Sequence, residues 1–208
     1  MRKLYLGILF VIVAALIIYL NRDSGENGTI ALHIGKPYKD VLRDSTFPVK
    51  SETAMRATTP PVEDSTWITR PAIVKFDDPK HGFTLPPTKF AAIGYNRGRV
   101  TTITTSPMLQ TLPFDQLILL INNLQLMLRN AGWTPRDEYH TWFKLETEIE
   151  RNTLQTLLFK QVVVMTLLIP HRYGMSFNVK CYARCDEYDP KTAKYLIDVS
   201  IGQDFYTR

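Results

Sequence analysis

Between Phe114 and Ala131 the apolar residues Phe114, Leu117, Ile118, Ile121, Leu124, Leu128 and Ala131 form one continuous stripe at helical spacing. Gly132 is placed to close that helix, and Trp133 can fold back on its last turn. A helix with a single apolar stripe must bury it against another layer, and the residues that follow supply one. Val162–Ile169 is nearly continuous and β-branched, which reads as a buried strand. Met175–Ala183 alternates with period two, and Ala193–Ile201 supplies a final strand. Pro170–Gly174 and Asp189-Pro190 mark the turns between them.

The preceding part of the chain carries a second, weaker pattern of the same kind. Ile30–Ile34 reads as a strand, Gly35-Lys36-Pro37 breaks it, and Tyr38, Val41 and Leu42 share one face of a short helix. Ser51–Thr66 is rich in Ser, Thr and Pro and is expected to be an exposed loop or edge segment. Trp67–Phe76 reads as a strand interrupted at Pro71, and Asp77–Gly82 as a turn. Lys89–Tyr95 and Arg99–Thr105 flank Asn96-Arg97-Gly98 as a hairpin, ended by Ser106-Pro107. Trp142–Lys160 reads as one or two helices. The expected class is therefore α+β, with antiparallel sheets packed against one short and one long helix. It divides into two αβ halves, about 31–110 and 111–208, without sequence identity between them.

At the N-terminus, Leu4–Leu20 is a run without a single charge, preceded by Arg2 and Lys3. As a helix it would span about 26 Å, just enough to cross a bilayer, with the positive end cytoplasmic. The residues after it (Tyr19-Leu20-Asn21-Arg22-Asp23) are not the small ones a signal peptidase prefers. An N-terminal transmembrane signal anchor over residues 1–22 is expected, with a cleaved signal and a buried soluble helix as alternatives. Residues 23–30 then form a tether and 31–208 a periplasmic domain, on a single-pass inner-membrane protein held through residues 4–20. In that oxidising compartment Cys181 and Cys185 are expected to form a disulfide, which requires a turn or bulge at Tyr182-Ala183-Arg184, because an extended strand holds their Cα atoms too far apart.

The 25 Lys and Arg against 20 Asp and Glu give the chain a net charge of +5, and setting aside Arg2 and Lys3 leaves +3. That excess is small and scattered, so no nucleic-acid partner is expected. His33, His81, His140 and His171 form no metalloprotease pair, and two cysteines without nearby histidines leave zinc short of ligands. No glycine–serine–glycine elbow flags a nucleophile, and the glycine at 98 belongs to a hairpin rather than to a phosphate loop. No catalytic, metal or cofactor residue is assigned, and the chain is not expected to be an enzyme. Partner contact is expected at exposed loops and one acidic face: Asp77, Asp78 and His81; Asn96 and Arg97; Glu146, Glu148 and Glu150; and Asp186, Glu187 and Tyr188.

Several segments together resemble a known type. They are the leader followed by Ile34–Phe47 (IGKPYKDVLRDSTF), Gly82–Pro87 (GFTLPP), Gly98–Ile103 (GRVTTI) running into Ser106-Pro107, and the helix ending Ala131-Gly132-Trp133. The combination resembles the small membrane-anchored periplasmic immunity proteins encoded beside antibacterial type VI secretion effectors. The first segment alone also resembles small lipoproteins that assist outer-membrane assembly, although this chain has no lipid-accepting cysteine after its leader. The first resemblance implies that the domain binds and inhibits a cognate toxin, such as a lipase or another envelope-attacking enzyme. The second implies an envelope-assembly accessory module.

Overall fold

In the computed structural model, residues 27–54 and 63–207 are described, and they build two sheets. The strands are β1 (Gly28–Leu32), β2 (Thr53–Ala54), β3 (Glu63–Trp67), β4 (Ala72–Phe76), β5 (Phe83–Thr84) and β6 (Ala91–Asn96). β7 (Arg99–Thr105), β8 (Thr134–Pro135), β9 (Val163–Ile169), β10 (Tyr173–Ala183) and β11 (Lys194–Gln203) complete them. The helices are α1 (Tyr38–Asp44), α2 (Phe114–Asn130) and α3 (Glu148–Leu158). β1, β4 and β5 form a small sheet in that order, and the other eight form one sheet ordered β2-β3-β6-β7-β11-β10-β9-β8.

The hairpin, the long helix and the three C-terminal strands lie where the periodicity predicts. Arg97 and Gly98 both take positive φ (48° and 69°), which gives the β6–β7 turn the hand that matches strand twist. Gly132 closes α2 at φ 82°, and Trp133 is almost fully buried behind it. α3 begins at a capping box: the Glu150 amide donates to Thr147 Oγ1 (3.2 Å) and the Thr147 amide to Glu150 Oε2 (3.0 Å).

The expected architecture is corrected in three respects. No transmembrane helix is found: among the described residues no helix is long and apolar enough to cross a membrane, and the expected span 4–20 lies outside them. Among the described residues there are three α-helices rather than one short and one long, the third being α3, which opens at the capping box at Thr147 within the segment 142–160 that reads as helical. Nor are the sheets purely antiparallel. β1 pairs parallel with β4, from Gly28↔Ala72 to Leu32↔Phe76, and a parallel pair requires a crossover, which α1 and the following segment provide.

The two halves share the large sheet, because β7 pairs with β11 from Thr105↔Val199 to Ile103↔Ile201. One face of that sheet carries Ile93, Ile103, Phe177, Val179, Ile197 and Val199 into the core, where the buried stripe of α2 meets them. The small sheet joins this core through an aromatic cluster. Phe76 stands edge-on to Tyr173 (5.1 Å) and to Trp133 (5.9 Å) and stacks on Phe83 (5.3 Å). Buried Gln125 ties the irregular segment before α3 to α2, accepting from the Phe143 amide (2.7 Å) and donating to the Phe143 carbonyl (3.3 Å).

Cys181 and Cys185 are disulfide-bonded, with Cα atoms 5.9 Å apart. The register of β10 against β11 shifts between Cys181 and Ala183, and Arg184 turns back at φ 56°, so the required irregularity is present. The bond closes only a short loop at the end of a long strand pair. Replacing both cysteines by serine is expected to cost about 2 kcal/mol, and to lower the thermal midpoint by roughly 4–8 °C. Native strand content should remain by circular dichroism, because the register from Tyr173↔Gln203 to Val179↔Ile197 does not depend on the bridge.

Candidate functional site

Strand alternation gives the eight-stranded sheet a second face, opposite the core. Ala92, Gly94, Thr104, Ser176, Asn178, Asp198 and Ser200 lie on it at half-buried positions, and Thr102 lies on it exposed. Thr104 and Ser200 bridge β7 and β11 through their hydroxyls at 3.1 Å. A Cβ on Gly94 would sit 2.5 Å from Thr102 Oγ1, so a larger residue there would require that hydroxyl to move.

Large side chains interrupt this low polar surface at the end of the sheet where the β7–β11 pairing begins. Trp67 is 54% exposed and packs edge-on against Phe90, itself 40% exposed, with ring centres 6.2 Å apart. The Trp67 indole N–H donates to Ser65 Oγ at 3.0 Å, which fixes the ring. Leu109 and Tyr182 are exposed nearby, and with Phe90, Met108 and Leu196 they wall a pocket of about 410 Å³. Polar groups from distant parts of the chain form its base. Ser106 donates to Asp198 Oδ1 at 2.5 Å, and Lys180 holds Asp198 Oδ2 at 2.6 Å. The Ser106 hydroxyl therefore gives its proton to a carboxylate already neutralised by an ammonium, and no imidazole lines the pocket to take that proton up. The arrangement suits holding an apolar side chain with a polar tip: greasy walls, fixed donors and acceptors below, and rigid aromatics on the rim.

The four histidines are engaged elsewhere. His33 Nδ1 lies 2.7 Å from Asp77, His81 Nδ1 lies 2.9 Å from the Ala131 carbonyl, and His140 Nδ1 lies 2.6 Å from Asp137. His171 sits in the β9–β10 turn at φ 61°. Among the described residues, no group of His, Cys, Asp or Glu is placed to hold a metal ion.

The residues expected at a partner surface divide. Asn96 and Arg97 are exposed on the hairpin turn, Glu146 and Glu148 precede and open α3 in solvent, and Asp186, Glu187 and Tyr188 lie exposed after the disulfide. Glu150 is committed to the capping box, and the bond from the Thr147 amide lowers its carboxyl pKa. In the loop at 77–81 Pro79 and Lys80 are exposed as expected, while the side chains of Asp77, Asp78 and His81 make bonds within the fold, and of these only Asp78 is buried. Asp77 binds His33 and Lys36, His81 braces the end of α2, and Asp78 is 4% exposed. Asp78 accepts from the amides of Lys80 (3.0 Å) and His81 (2.9 Å), from Arg172 (2.8 Å) and from the Tyr173 hydroxyl (2.8 Å). A carboxylate capping its own turn is drawn into the fold by the amides it satisfies.

Trp67, Phe90, Leu109 and Tyr182 were not among the expected contact residues. The signal for Tyr182 is its phase: Met175, Phe177 and Val179 point inward, so Tyr182 falls on the outward set with Ser176, Asn178 and Lys180. Comparison with known proteins finds no matching family model, no matching curated protein and no matching solved structure.

Proposed function

We propose that this chain is an immunity-type inhibitor that binds a cognate, envelope-targeting toxin of an antibacterial type VI system and performs no chemistry itself. The observation that carries this reading is the cluster of exposed aromatic and leucine side chains around a preformed pocket on the outer face of the large sheet. Interfaces draw most of their affinity from a few such rigid anchors with little side-chain freedom to lose. The inhibitor role and the type of partner rest on the sequence resemblance. The charge-free leader and the Cys181–Cys185 bridge support an exported, periplasmic location, since disulfides persist in oxidising compartments.

The test is co-purification of the full chain with the products of neighbouring genes, paired with survival of cells that express the candidate toxin in the periplasm. Trp67→Ala combined with Tyr182→Ala is expected to weaken toxin capture by at least about tenfold and to abolish protection, at an unchanged thermal midpoint. Capture undiminished in the double variant would remove the outer face from the interface. Absence of any captured toxin, with no protection, would refute the inhibitor role.

A further inference from the structure

β7 changes partners partway along its length, and a cleft opens at the change. Its pairing with β11 runs as far as Ile103↔Ile201. Beyond that, Val100 exchanges backbone bonds with the loop after β1: the Gly35 amide donates to the Val100 carbonyl (2.8 Å), and the Val100 amide to the Lys36 carbonyl (3.0 Å). Between these two pairings lies a cavity of about 710 Å³, lined by the loop after β1, by Asn96 and Arg99–Thr102, and by the ends of β10 and β11.

The lining is charged in one sense. Arg99 and Arg172 contribute two guanidinium groups, and no acidic residue lines the cleft. Both cations are positioned before any ligand arrives. Arg99 donates through Nη1 to the Gly35 carbonyl (2.9 Å), and among the described residues it has no carboxylate partner. Arg172 lies over the Tyr173 ring at 4.9 Å and is held through Nη2 by Asp78 and the Tyr173 hydroxyl, while its side chain stays 46% exposed. Thr101, Thr102, Asn96 and Gln203 add neutral hydrogen-bonding groups, and Ile34, Val100 and Phe205 add apolar wall. Preorganised guanidinium forks recognise carboxylates in bidentate fashion, and the apolar wall accommodates a hydrocarbon stem. The cleft is much larger than one carboxylate or phosphate needs, so it fits several residues of chain rather than a lone anion.

The geometry points to this cleft as a binding site for an acidic peptide segment, its glutamate or aspartate carboxylates taken by Arg99 and Arg172. The inference deepens the binding-protein reading by adding a second contact region. The cleft residue Gly202 lies four residues along β11 from the pocket residue Asp198, about 13 Å, so one segment of a partner can reach both.

The experiment is an amide-resolved NMR titration of the full chain with a capped hexaglutamate peptide, with hexalysine, glutarate and inorganic phosphate as comparison arms. Hexaglutamate is expected to shift the amides of Gly35, Arg99–Thr102 and Gly202–Phe205. Its affinity should fall at least about tenfold between roughly 0.05 M and 0.5 M salt. Arg99→Glu, and independently Thr102→Glu, which places a like charge on an exposed cleft residue, should each weaken binding by at least about tenfold. Saturation by glutarate or phosphate as tight as that by the peptide would overturn the peptide assignment. So would equal binding of hexalysine, the absence of shifts in the cleft, or full affinity in both glutamate variants. The titration uses no toxin, so its failure leaves the outer-face reading standing, and a failed toxin capture leaves this site standing.

Discussion

Asp78→Ala is expected to lower the thermal midpoint by roughly 10 °C, corresponding to a loss of about 3–5 kcal/mol. The Asp78 carboxylate is nearly sequestered from solvent and serves four donors: the Lys80 and His81 amides, Arg172 and the Tyr173 hydroxyl. Removing it takes the acceptor from the buried Tyr173 hydroxyl and from the two turn amides and unpairs the half-exposed Arg172 guanidinium, and an orphaned buried donor costs more than a net hydrogen bond returns. The damage also spreads, because Tyr173 belongs to the aromatic cluster with Phe76 and Trp133 that joins the two sheets. The same residue gives the protein an acid-sensitive term. Burial pushes the Asp78 carboxyl up, but the bonds from Tyr173, His81 and Lys80 and the Arg172 charge outweigh it, so its pKa lies below the ordinary 3.8. Burial also pushes the Asp204 carboxyl up, but the bond from the Thr207 hydroxyl and those from the amides of Tyr206, His171 and Thr207 outweigh it and hold it down to about 2. A carboxyl depressed in the folded state stabilises above its unfolded pKa, and that contribution disappears as the pH falls through the folded value. Wild-type stability should therefore decline between about pH 4 and pH 2. The deficit of Asp78→Ala should shrink as the pH falls below the ordinary 3.8, because the lost contribution is that of a depressed carboxyl. Denaturant melts at stepped pH measure both, and a constant deficit down to pH 2 would contradict the assignment.

Lys36→Ala is expected to cost about 3 kcal/mol, although the side chain is a single lysine near the molecular surface. Lys36 is only 5% exposed; its ammonium contacts Asp77 and reaches Asp44 Oδ2 at 2.9 Å and the Ala31 carbonyl at 3.0 Å. Bonds from Arg43 and then Lys36 hold the Asp44 carboxyl down to about 2. Without the ammonium, the half-buried Asp77 carboxylate keeps only its contact with the His33 ring among the described residues. The loop that carries Gly35 to the Val100 carbonyl loses its internal brace as well. Amide exchange at Gly35 and Val100 should accelerate in Lys36→Ala, and Asp77→Asn added to it should recover part of the loss, because it removes the uncompensated carboxylate. Unchanged exchange with an unchanged midpoint would show that this cluster is decorative.

Helix α2, the β6–β7 hairpin, strands β9 to β11 and the disulfide were legible in the sequence. Each rests on a pattern among neighbouring residues: a stripe repeating every three or four positions, alternation every two, a glycine at a turn, two cysteines four apart. α3 was legible only as ambiguous helical character, because Ile149 spoils the stripe by pointing into solvent at 79% exposure. The parallel β1–β4 pair, the join of the halves through β7 and β11, the pocket base and the cleft were not legible. Ser106 and Asp198 are 92 positions apart, and Asp78 and Tyr173 are 95 apart. Those pairings follow from which strand edges meet once the core is packed, and no local periodicity encodes that choice. The sequence by itself thus determined which segments are helix or strand and which side of each is apolar, since those depend on backbone geometry over a few residues. Only the tertiary structure decided which polar and aromatic side chains stand together, because register and partner choice are set by burial summed over the whole domain.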